Sequence, residues 1–433
     1  LQEIVVSGSV DPVAGVKLPY SVSRVGAEQL QVPNTGSALG ALQGKVAGAQ
    51  IVRPSGQPGT GVNIMLRSPT GFEMNNSPLI VVDGVVISRE LNNTTVDIES
   101  LDIESIEVIK GAAAASLYGS RAASGVITIT TNRGRDLPRN QTRITSRSEM
   151  GASMIGRMPS LAQSHFMLMD STQTYLINTA GERVGWANRT STGTMRMMDM
   201  PPPCTELACP ARTYDNVTSL YNPGRYFSQN FGLAQNTETT TFNISLTRLD
   251  EQGALEGNNG YWRNVGRMSI DHRLGTKISF SAVAQHTRSN RDVISGSPFV
   301  DIYLYPSWID LRAKGPDGQY LMVPDPDVEQ ENPLWRQTTR HHYDARARTL
   351  GSLNARYNPV QWATFDAQLS YDRADTKFQE YVPKGVPLSA TSDQPATGSL
   401  RLNHRENDTF NGSVGATFMR QFGDLNARFT TRG

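Results

Sequence analysis

Apolar and polar residues alternate along much of the second half of the chain, and a period of two residues is typical of β-strands that have one apolar face. Within residues 240–247, Phe242, Ile244 and Leu246 share one face, and the residues between them are polar. The alternation continues on both sides of Leu274-Gly275-Thr276. This segment therefore predicts a β-hairpin.

Further hairpins are predicted around the turn Asn358-Pro359 and within residues 410–418. The short turns alternate with long polar stretches at 151–225, 289–343 and 377–399. Alternation by itself fits a soluble β-sandwich as well as a membrane barrel, because both have one apolar face. The connections favour the barrel, which has short turns on one rim and long loops on the other.

Aromatic and charged residues of these strands also fit a barrel wall. Trp262, Tyr357 and Trp362 lie near predicted strand ends, where aromatic residues form an interfacial girdle. Three arginines between 346 and 356 lie on the alternate, polar face. Arginine is costly against lipid, so we expect this face to line a wet interior.

The first part of the chain has a different pattern. Residues 37–134 contain short elements separated by Pro and Gly, which predicts a small α/β domain that ends near 135–141. Residues 112–115 are alanines that favour a short helix, Gly119 ends it, and residues 126–130 favour a strand. The loop between helix and strand lacks the Lys-Ser/Thr pair that a phosphate-binding loop needs.

Composition limits the possible classes of protein. The chain of 433 residues has 38% hydrophobic and 19% charged residues, with 38 Gly and 24 Pro, which fits an exported β protein better than a cytosolic enzyme. No apolar run approaches the roughly 18 residues of a transmembrane helix, so a closed barrel is the way in which this chain could span a membrane. The net charge of +1 gives no reason to expect a nucleic-acid partner.

Candidate chemistry is sparse. Cys204 and Cys209 form a single C-x4-C pair, which is a poor zinc site and favours a local disulfide over free thiols in an exported loop. His341 and His342 are adjacent on a predicted strand, so they point to opposite faces and lack metal-ligand spacing. The repeated DIES within 97–105, together with Glu107, favours a solvated acidic face over a cation site. Because no G-x-S-x-G elbow occurs either, we expect no enzyme activity, metal or cofactor.

Four ordered segments carry a family resemblance. They read LQGKVAGAQI from Leu42, SPLIVVDGVVI from Ser77, IESIEVIKG from Ile103 and GAAAASLYGSRAASGVITITTNRG from Gly111. Their order and their residue sequences resemble the plug of SusC/RagA-like TonB-dependent outer-membrane transporters. The resemblance implies a mainly β fold, in which a small α/β plug lies inside a large antiparallel transmembrane β-barrel.

The resemblance divides the chain into a flexible N-terminal arm at 1–36, a plug at 37–134 and the first part of a barrel at 135–433. About ten strands can be found after Gln141, whereas the family barrel has about 22 strands. We therefore expect the polypeptide to continue beyond Gly433. Because no signal peptide precedes LQEIVVSG, we expect Leu1 to be a mature or trimmed end.

Two sets of functional residues come from the resemblance. The alternating start of the chain is β-prone and matches the Ton box, an extended segment that pairs with TonB; a disordered terminus is the alternative. Where family members have Arg-Gly, Arg67 is followed here by Ser68-Pro69, so the turn must differ. Asp83-Gly84 and Lys110-Gly111 are either turn residues or part of the gate. The Ton box comprises Leu1, Gln2, Glu3, Ile4, Val5, Val6 and Ser7, and the plug motif Arg67, Asp83, Gly84, Lys110, Gly111, Tyr118, Gly119, Arg121 and Gly125.

The resemblance also implies a function. We expect TonB-dependent import of an oligosaccharide or peptide across the outer membrane, with TonB, a SusD-like surface lipoprotein and outer-membrane lipids as partners. The alternatives are a siderophore- or cobalamin-type receptor, a structural or adhesive surface protein, and, more distantly, a hydrolase on a soluble β scaffold. Tyr303, Tyr305 and Trp308 could stack on sugar rings or pack their own loop.

Overall fold

The computed structural model of the chain contains a small mixed sheet near the N-terminus and a large antiparallel sheet after it. No helix in the described residues is long and apolar enough to cross a membrane. The structure describes residues 4–5, 13–14, 22–30, 39–67, 77–87, 103–111, 114–115, 118–156, 168–169, 176–177, 209–210, 214–294, 296–305, 309–324, 331–386, 397–422 and 425–433.

The small sheet has five strands in the order β3-β8-β9-β6-β7. β6 and β9 are parallel, and the other neighbours are antiparallel. All four residues of β6 are buried, as expected for a strand covered on both faces. The strands are β3 (Val22–Gly26), β6 (Leu79–Val82), β7 (Val85–Val86), β8 (Ile103–Ile109) and β9 (Val126–Thr131).

The small sheet begins before residue 37, where the sequence predicted the end of the flexible arm. β3 pairs with β8 from Val22↔Ile109 to Gly26↔Ser105, and Val25 is buried. The sequence pattern does not predict this strand, because VSRVG is short and carries one buried side chain. Two shorter pairs complete this part of the chain, namely β1 (Ile4–Val5) with β2 (Val13–Ala14) and β4 (Ala49–Val52) with β5 (Asn63–Leu66).

The predicted order of a helix, a turn and a strand, here β9, is confirmed in the described residues. Ala114, Ala115 and Tyr118 are helical, and Gly119 has a φ of 74° before a 3-10 turn at Ser120–Ala122. Gly125 has a φ of 101°, and a Cβ there would lie 2.8 Å from the carbonyl oxygen of Ile109. Glycine is therefore required where this turn meets the neighbouring strand.

The large sheet has nine strands in the order β10-β14-β15-β16-β17-β18-β19-β20-β21, and all neighbours are antiparallel. Three two-residue strands form a separate three-stranded sheet. They are β11 (Leu168–Met169), β12 (Leu176–Ile177) and β13 (Cys209–Pro210). The large-sheet strands are β10 (Gln141–Ser153), β14 (Gly224–Asn236), β15 (Thr240–Gln252), β16 (Tyr261–Leu274), β17 (Ile278–Asp292), β18 (His341–Val360), β19 (Ala363–Val382), β20 (Ser399–Phe422) and β21 (Leu425–Arg432).

Short and long connections alternate in the large sheet, as predicted. The turns at 237–239 and 275–277 are short, whereas β17 and β18 are joined through 293–340. The turn predicted at Asn358-Pro359 was wrong, because β18 continues to Val360. The register shifts between Tyr357 and Val360, and this irregularity accommodates a proline that has no N–H to donate.

The long connections contain a hydrophobic cluster of their own, here called the loop cluster. It is built around short helices at Asn216–Ser219, Pro298–Leu304 and Pro333–Thr339. Asn332 is fully buried, and its side-chain amide donates to the carbonyl oxygen of Leu311 over 2.8 Å. This buried hydrogen bond holds the connection together. Its buried apolar members are Val217, Leu220, Leu255, Ile302, Tyr305, Ile309, Leu311 and Leu334.

The two faces of the large sheet are inverted relative to a soluble protein. The inner face, toward the small sheet, buries polar side chains such as Arg267, Gln285 and Arg348. Leu350 from this face packs into the core of the small sheet. The outer face exposes a continuous set of large apolar side chains, which is typical of a membrane-facing β-sheet. They include Phe231, Leu246, Met268, Leu353, Leu369, Phe410 and Val414.

Candidate functional site

A buried carboxylate marks the contact between the two sheets. Asp83 lies in the turn from β6 to β7, with a φ of 48° and a side chain that is 1% exposed. It accepts hydrogen bonds from the backbone N–H and the hydroxyl of Thr131 at the end of β9. Asp tolerates this left-handed conformation better than most residues, and the turn places the carboxylate between Thr131 of its own sheet and Arg267 of the large sheet.

Two arginines hold the Asp83 carboxylate from opposite sides. Arg133 follows β9 and donates over 3.3 Å, whereas Arg267 comes from the inner face of β16 and donates over 2.8 Å. Both guanidinium groups are more than nine-tenths buried. Breaking such a pair leaves an uncompensated buried charge, which costs about 3–5 kcal/mol.

The charges continue along the wall of the large sheet. Arg133 also donates to Asp271 over 3.2 Å and to Ser281 over 3.1 Å, and Arg135 donates to Asp271 over 2.7 Å. Five alternating charges therefore cross the interface. We call Arg267, Asp83, Arg133, Asp271 and Arg135 the ionic chain.

Gly84, next to Asp83, makes a second contact with the large sheet. The side-chain amide of Gln368 on β19 donates to the carbonyl oxygen of Gly84 over 3.1 Å. Gly84 has a φ of 85°, and a Cβ there would lie 2.6 Å from the same amide nitrogen. One two-residue turn thus touches strands β16 and β19, and a larger residue at 84 would displace the Gln368 amide from this contact.

A polar cavity of about 1070 Å³ adjoins the ionic chain, between the small sheet and the short-turn end of the large sheet. Arg24 and Glu107 on its floor form a loose ion pair at 3.9 Å. Glu107 is 3% exposed, so the predicted solvated acidic face is wrong for this residue; it lies on an inner strand of the sheet. Glu238 of the short turn at 237–239 and Arg273 near the end of β16 also line the cavity.

Comparison with known proteins shows what the chain is similar to. The TonB-dependent Receptor Plug Domain matches residues 15–126. The TonB-dependent receptor SusC of Bacteroides thetaiotaomicron is 36% identical over 140 residues, covering 31% of this chain and 14% of SusC. The chain carries a TonB-dependent receptor plug and is similar to SusC/RagA-like receptors. The small sheet and its surroundings are its plug, and the large sheet is the wall around that plug.

Two further matches cover nearly all of this receptor chain. The TonB-dependent receptor P26 of Formosa agariphila is 24% identical over 394 residues, which are 89% of this chain and 36% of P26. The structure of the RagAB peptide importer in the "open-open" state has a TM-score of 0.73 at 20% identity, covering 99% of this chain and 48% of the other. This likeness establishes a shared fold. The receptor chain spans less than half the length of these relatives.

The structure places the nine plug-motif residues in three groups. Asp83 and Gly84 lie at the wall. Lys110 donates to Ser23 over 3.1 Å, and a Cβ on Gly111 would lie 3.1 Å from a guanidinium nitrogen of Arg67. This second group lies at the opposite end of the sheet from Asp83, about 17 Å along β9. The third group, Tyr118, Gly119, Arg121 and Gly125, forms the helix and turn before β9.

Burial and a neighbouring cation act on Lys110. Burial lowers the pKa of its ammonium group, and the positive charge of Arg67 lowers it further. Arg67 itself has a φ of 65° and donates its backbone N–H to Gly48 over 2.7 Å. The Arg-Ser-Pro sequence thus takes the left-handed conformation at the arginine.

Several predicted residues fall partly outside the described ranges. Of the predicted Ton box, Ile4 and Val5 are described and pair with Val13–Ala14; Leu1, Gln2, Glu3, Val6 and Ser7 lie outside. The predicted disulfide also falls outside, because Cys204 is not described and only the backbone of Cys209 is.

The candidate stacking aromatics divide in the same way. Tyr305 is 5% exposed within the loop cluster and packs the loop, whereas Tyr303 is 38% exposed. Trp308 lies outside the described residues.

One group in the described part of the chain has metal-ligand spacing, namely Asp375, His404 and Glu406. Arg373 already pairs with both carboxylates, over 3.1 Å with Asp375 and 2.9 Å with Glu406. The group lies on the outer face and is explained as an ion-pair network. His342, for which the sequence predicted no metal role, lies 3.4 Å from Glu380.

Sequence reasoning missed Arg133, Arg267 and Asp271. Arg133 follows the last motif strand directly, so its position in TNRGR was an available signal. Arg267 and Asp271 look like any other polar residue on the inner face of an alternating strand. Their role depends on contact with a residue 184 positions away for Arg267, which no local pattern indicates.

Proposed function

We propose that this receptor belongs to an importer that takes an oligosaccharide or peptide across the outer membrane, driven by TonB. The observation that carries the proposal is the plug held by buried charges against the polar inner face of a sheet whose outer face is apolar. A wide wet passage needs a plug at rest. The outer membrane lacks ATP, so the energy has to arrive mechanically through a protein handle.

The position of β3 supports an N-terminal handle. Arg24 of β3 lines the same cavity as Thr237, Glu238 and Thr239 of a short turn. Short turns lie on the periplasmic side of outer-membrane barrels. β3 thus borders the cavity on the side where TonB would act. We propose that residues 1–7, whose Ile4 and Val5 pair here with Val13–Ala14, add as a strand to a partner sheet.

The outer face supports a location in the outer membrane. At the short-turn end of the sheet, Tyr357 stacks on Phe365, whose ring meets Phe418 edge to face, and such a row is typical of interfacial aromatics. Trp262 lies at the other end of the wall, at the start of β16. We propose that this band is set in lipid, and that a SusD-like lipoprotein covers the opposite, long-loop side.

The cavity lining supports a hydrated, polar substrate. Amide and hydroxyl side chains, including Asn354, Gln368 and Ser413, face charges of both signs, so no single charge is selected. A peptide or an oligosaccharide fits this chemistry. Detergent extraction of the full-length protein from membranes, followed by mass spectrometry of whatever co-purifies, identifies the lipoprotein and the bound ligand class.

Deletion of residues 1–7 tests the proposed import. In cells that carry the full-length receptor, we expect uptake of labelled oligosaccharide or peptide to fall to the level without TonB, because the handle is lost. A variant with the same seven residues in scrambled order controls for chain length and export, and it should fail equally. Uptake that survives the deletion would overturn residues 1–7 as the handle, and the absence of receptor-dependent uptake in the undeleted protein would favour a structural or adhesive surface protein.

A further inference from the structure

The connection between β15 and β16, residues 253–260, reaches into the loop cluster. Leu255 is 8% exposed among the apolar residues of the cluster and bridges to Tyr221. The backbone N–H of Glu256 donates to Leu220 over 2.9 Å, and its carboxylate accepts from Arg312 over 2.6 Å and from the hydroxyl of Tyr320. Both backbone and side chain therefore fasten the connection to the cluster.

The two ends of the same connection touch the plug. A Cβ on Gly253 would lie 3.0 Å from Pro58 in the plug loop at 57–60. The connection then leads into Tyr261, whose ring lies 2.4 Å from where a Cβ on Gly59 would be. Arg291 of the wall donates to the carbonyl oxygen of Gly59 over 3.4 Å. The plug loop has no spare room against these neighbours.

Hydrogen bonds to the wall stiffen the connection between these contacts. The side-chain amide of Asn258 donates to the carbonyl oxygen of Asp292 over 3.1 Å, and Asn259 donates its backbone N–H to the Asp292 carboxylate over 2.7 Å. Gly260 donates to the side chain of Asn258 over 2.9 Å. A displacement of Glu256 is therefore passed along the connection instead of being absorbed by it.

We infer that the 253–260 connection couples the loop cluster to the plug loop at 57–60, so that a ligand contacting the cluster shifts the seating of the plug. Glu256 is the positioning residue at the cluster end, and Gly253 and Tyr261 bear on the plug. The role of a ligand rests on the proposed function, whereas the mechanical coupling does not. Coupling of this kind is a free energy between two sites, so it can be measured without transport.

Hydrogen exchange measured by mass spectrometry on the full-length receptor in detergent tests the coupling. Glu256→Gln removes the ion pair with Arg312 and keeps an acceptor for Tyr320. We expect amides of the plug loop to exchange about fivefold faster, because loosening at the cluster lowers the local opening free energy. Strand β9 should keep its exchange rate.

Two further variants make the result decisive. Arg248→Gln breaks the exposed Arg248–Asp250 pair on the outer face of β15, the strand that leads into the connection. This control should leave the plug loop unchanged. Leu255→Ala removes the apolar contact with the cluster and should reproduce the effect of Glu256→Gln. Faster exchange in residues 309–324 with an unchanged plug loop in both variants would overturn the coupling, as would equally faster exchange in β9. Neither outcome bears on import through residues 1–7.

Discussion

The plug is fastened to the wall at two places that use opposite chemistry. At the short-turn end, Asp83 lies between two buried guanidinium groups, one from the plug and one from β16. At the long-loop end, Gly59 lies against the ring of Tyr261, where there is no room for a side chain. The first contact depends on charge and the second on the absence of atoms.

This difference separates two ways of releasing a plug. Each charged side chain can leave its partner and become hydrated while the backbone changes little. The ionic chain can therefore open and close reversibly. A close steric contact opens only when the backbone itself moves. The long-loop end is therefore suited to sensing displacement, and the short-turn end to holding against it.

The largest expected effect comes from Asp83→Asn. Asn keeps the left-handed backbone conformation but leaves Arg133 and Arg267 without their shared countercharge, which should destabilise the plug by about 3 kcal/mol. A urea titration of the detergent-solubilised receptor, followed by protease cleavage of the plug, measures the change. Asp136→Asn breaks the exposed pair with Arg143 and should shift the midpoint little. Equal midpoints for the two variants would contradict a structural role for the ionic chain.

A smaller effect is expected from Gly59→Ala. The new Cβ meets the Tyr261 ring at 2.4 Å, and overpacking together with a φ of 64° should cost about 2 kcal/mol in the same titration. Gly48→Ala is the matched control, because its φ is 71° and nothing lies within 4 Å of the new Cβ. Its cost should be about 1 kcal/mol of backbone strain alone. If both variants cost the same, the contact with Tyr261 is looser than the structure shows.

The smallest effect concerns Tyr320, which adjoins the long-loop contact through Glu256. Burial, followed by the hydrogen bond to Glu256, raises the pKa of the Tyr320 phenol from 10.0 to about 12. The protonated phenol is favoured in the folded state, so its contribution is complete below pH 10 and is lost as the pH rises to about 12. Tyrosinate absorbance of the receptor minus that of Tyr320→Phe should rise near pH 12. A rise near pH 10 would mean that Tyr320 is not held by Glu256.

The plug could be predicted from the sequence in more detail than its contact with the wall. The small residues before Val126 and the β-branched run after it are local signals, and the structure has the expected helix, turn and strand. Strand alternation likewise predicted the large sheet, but the hairpin predicted within 410–418 was wrong, because these residues lie inside the single strand β20. One turn was predicted too early, at Asn358-Pro359. The strand pairing continues through a bulge there, although the alternation has ended.

The ionic chain could not be predicted because it depends on which inner-face residue meets which plug residue. Arg267 and Gln285 lie opposite each other on the adjacent strands β16 and β17, and both are buried polar residues. Of the two, Arg267 contacts Asp83. Glu107 shows the same limit, since an acidic repeat reads as a solvated face until its strand is placed inside a sheet. Register decides both cases, and register is set by long-range pairing.

The apolar outer face of the wall has a consequence for how the protein is made. Phe231, Leu246, Met268 and Phe410 would make the finished sheet insoluble in the aqueous space it must cross, and half-formed strands with such side chains pair with one another. With the wall set in lipid as proposed, its folding and its entry into lipid are one event, and the chain stays unfolded until it reaches the membrane.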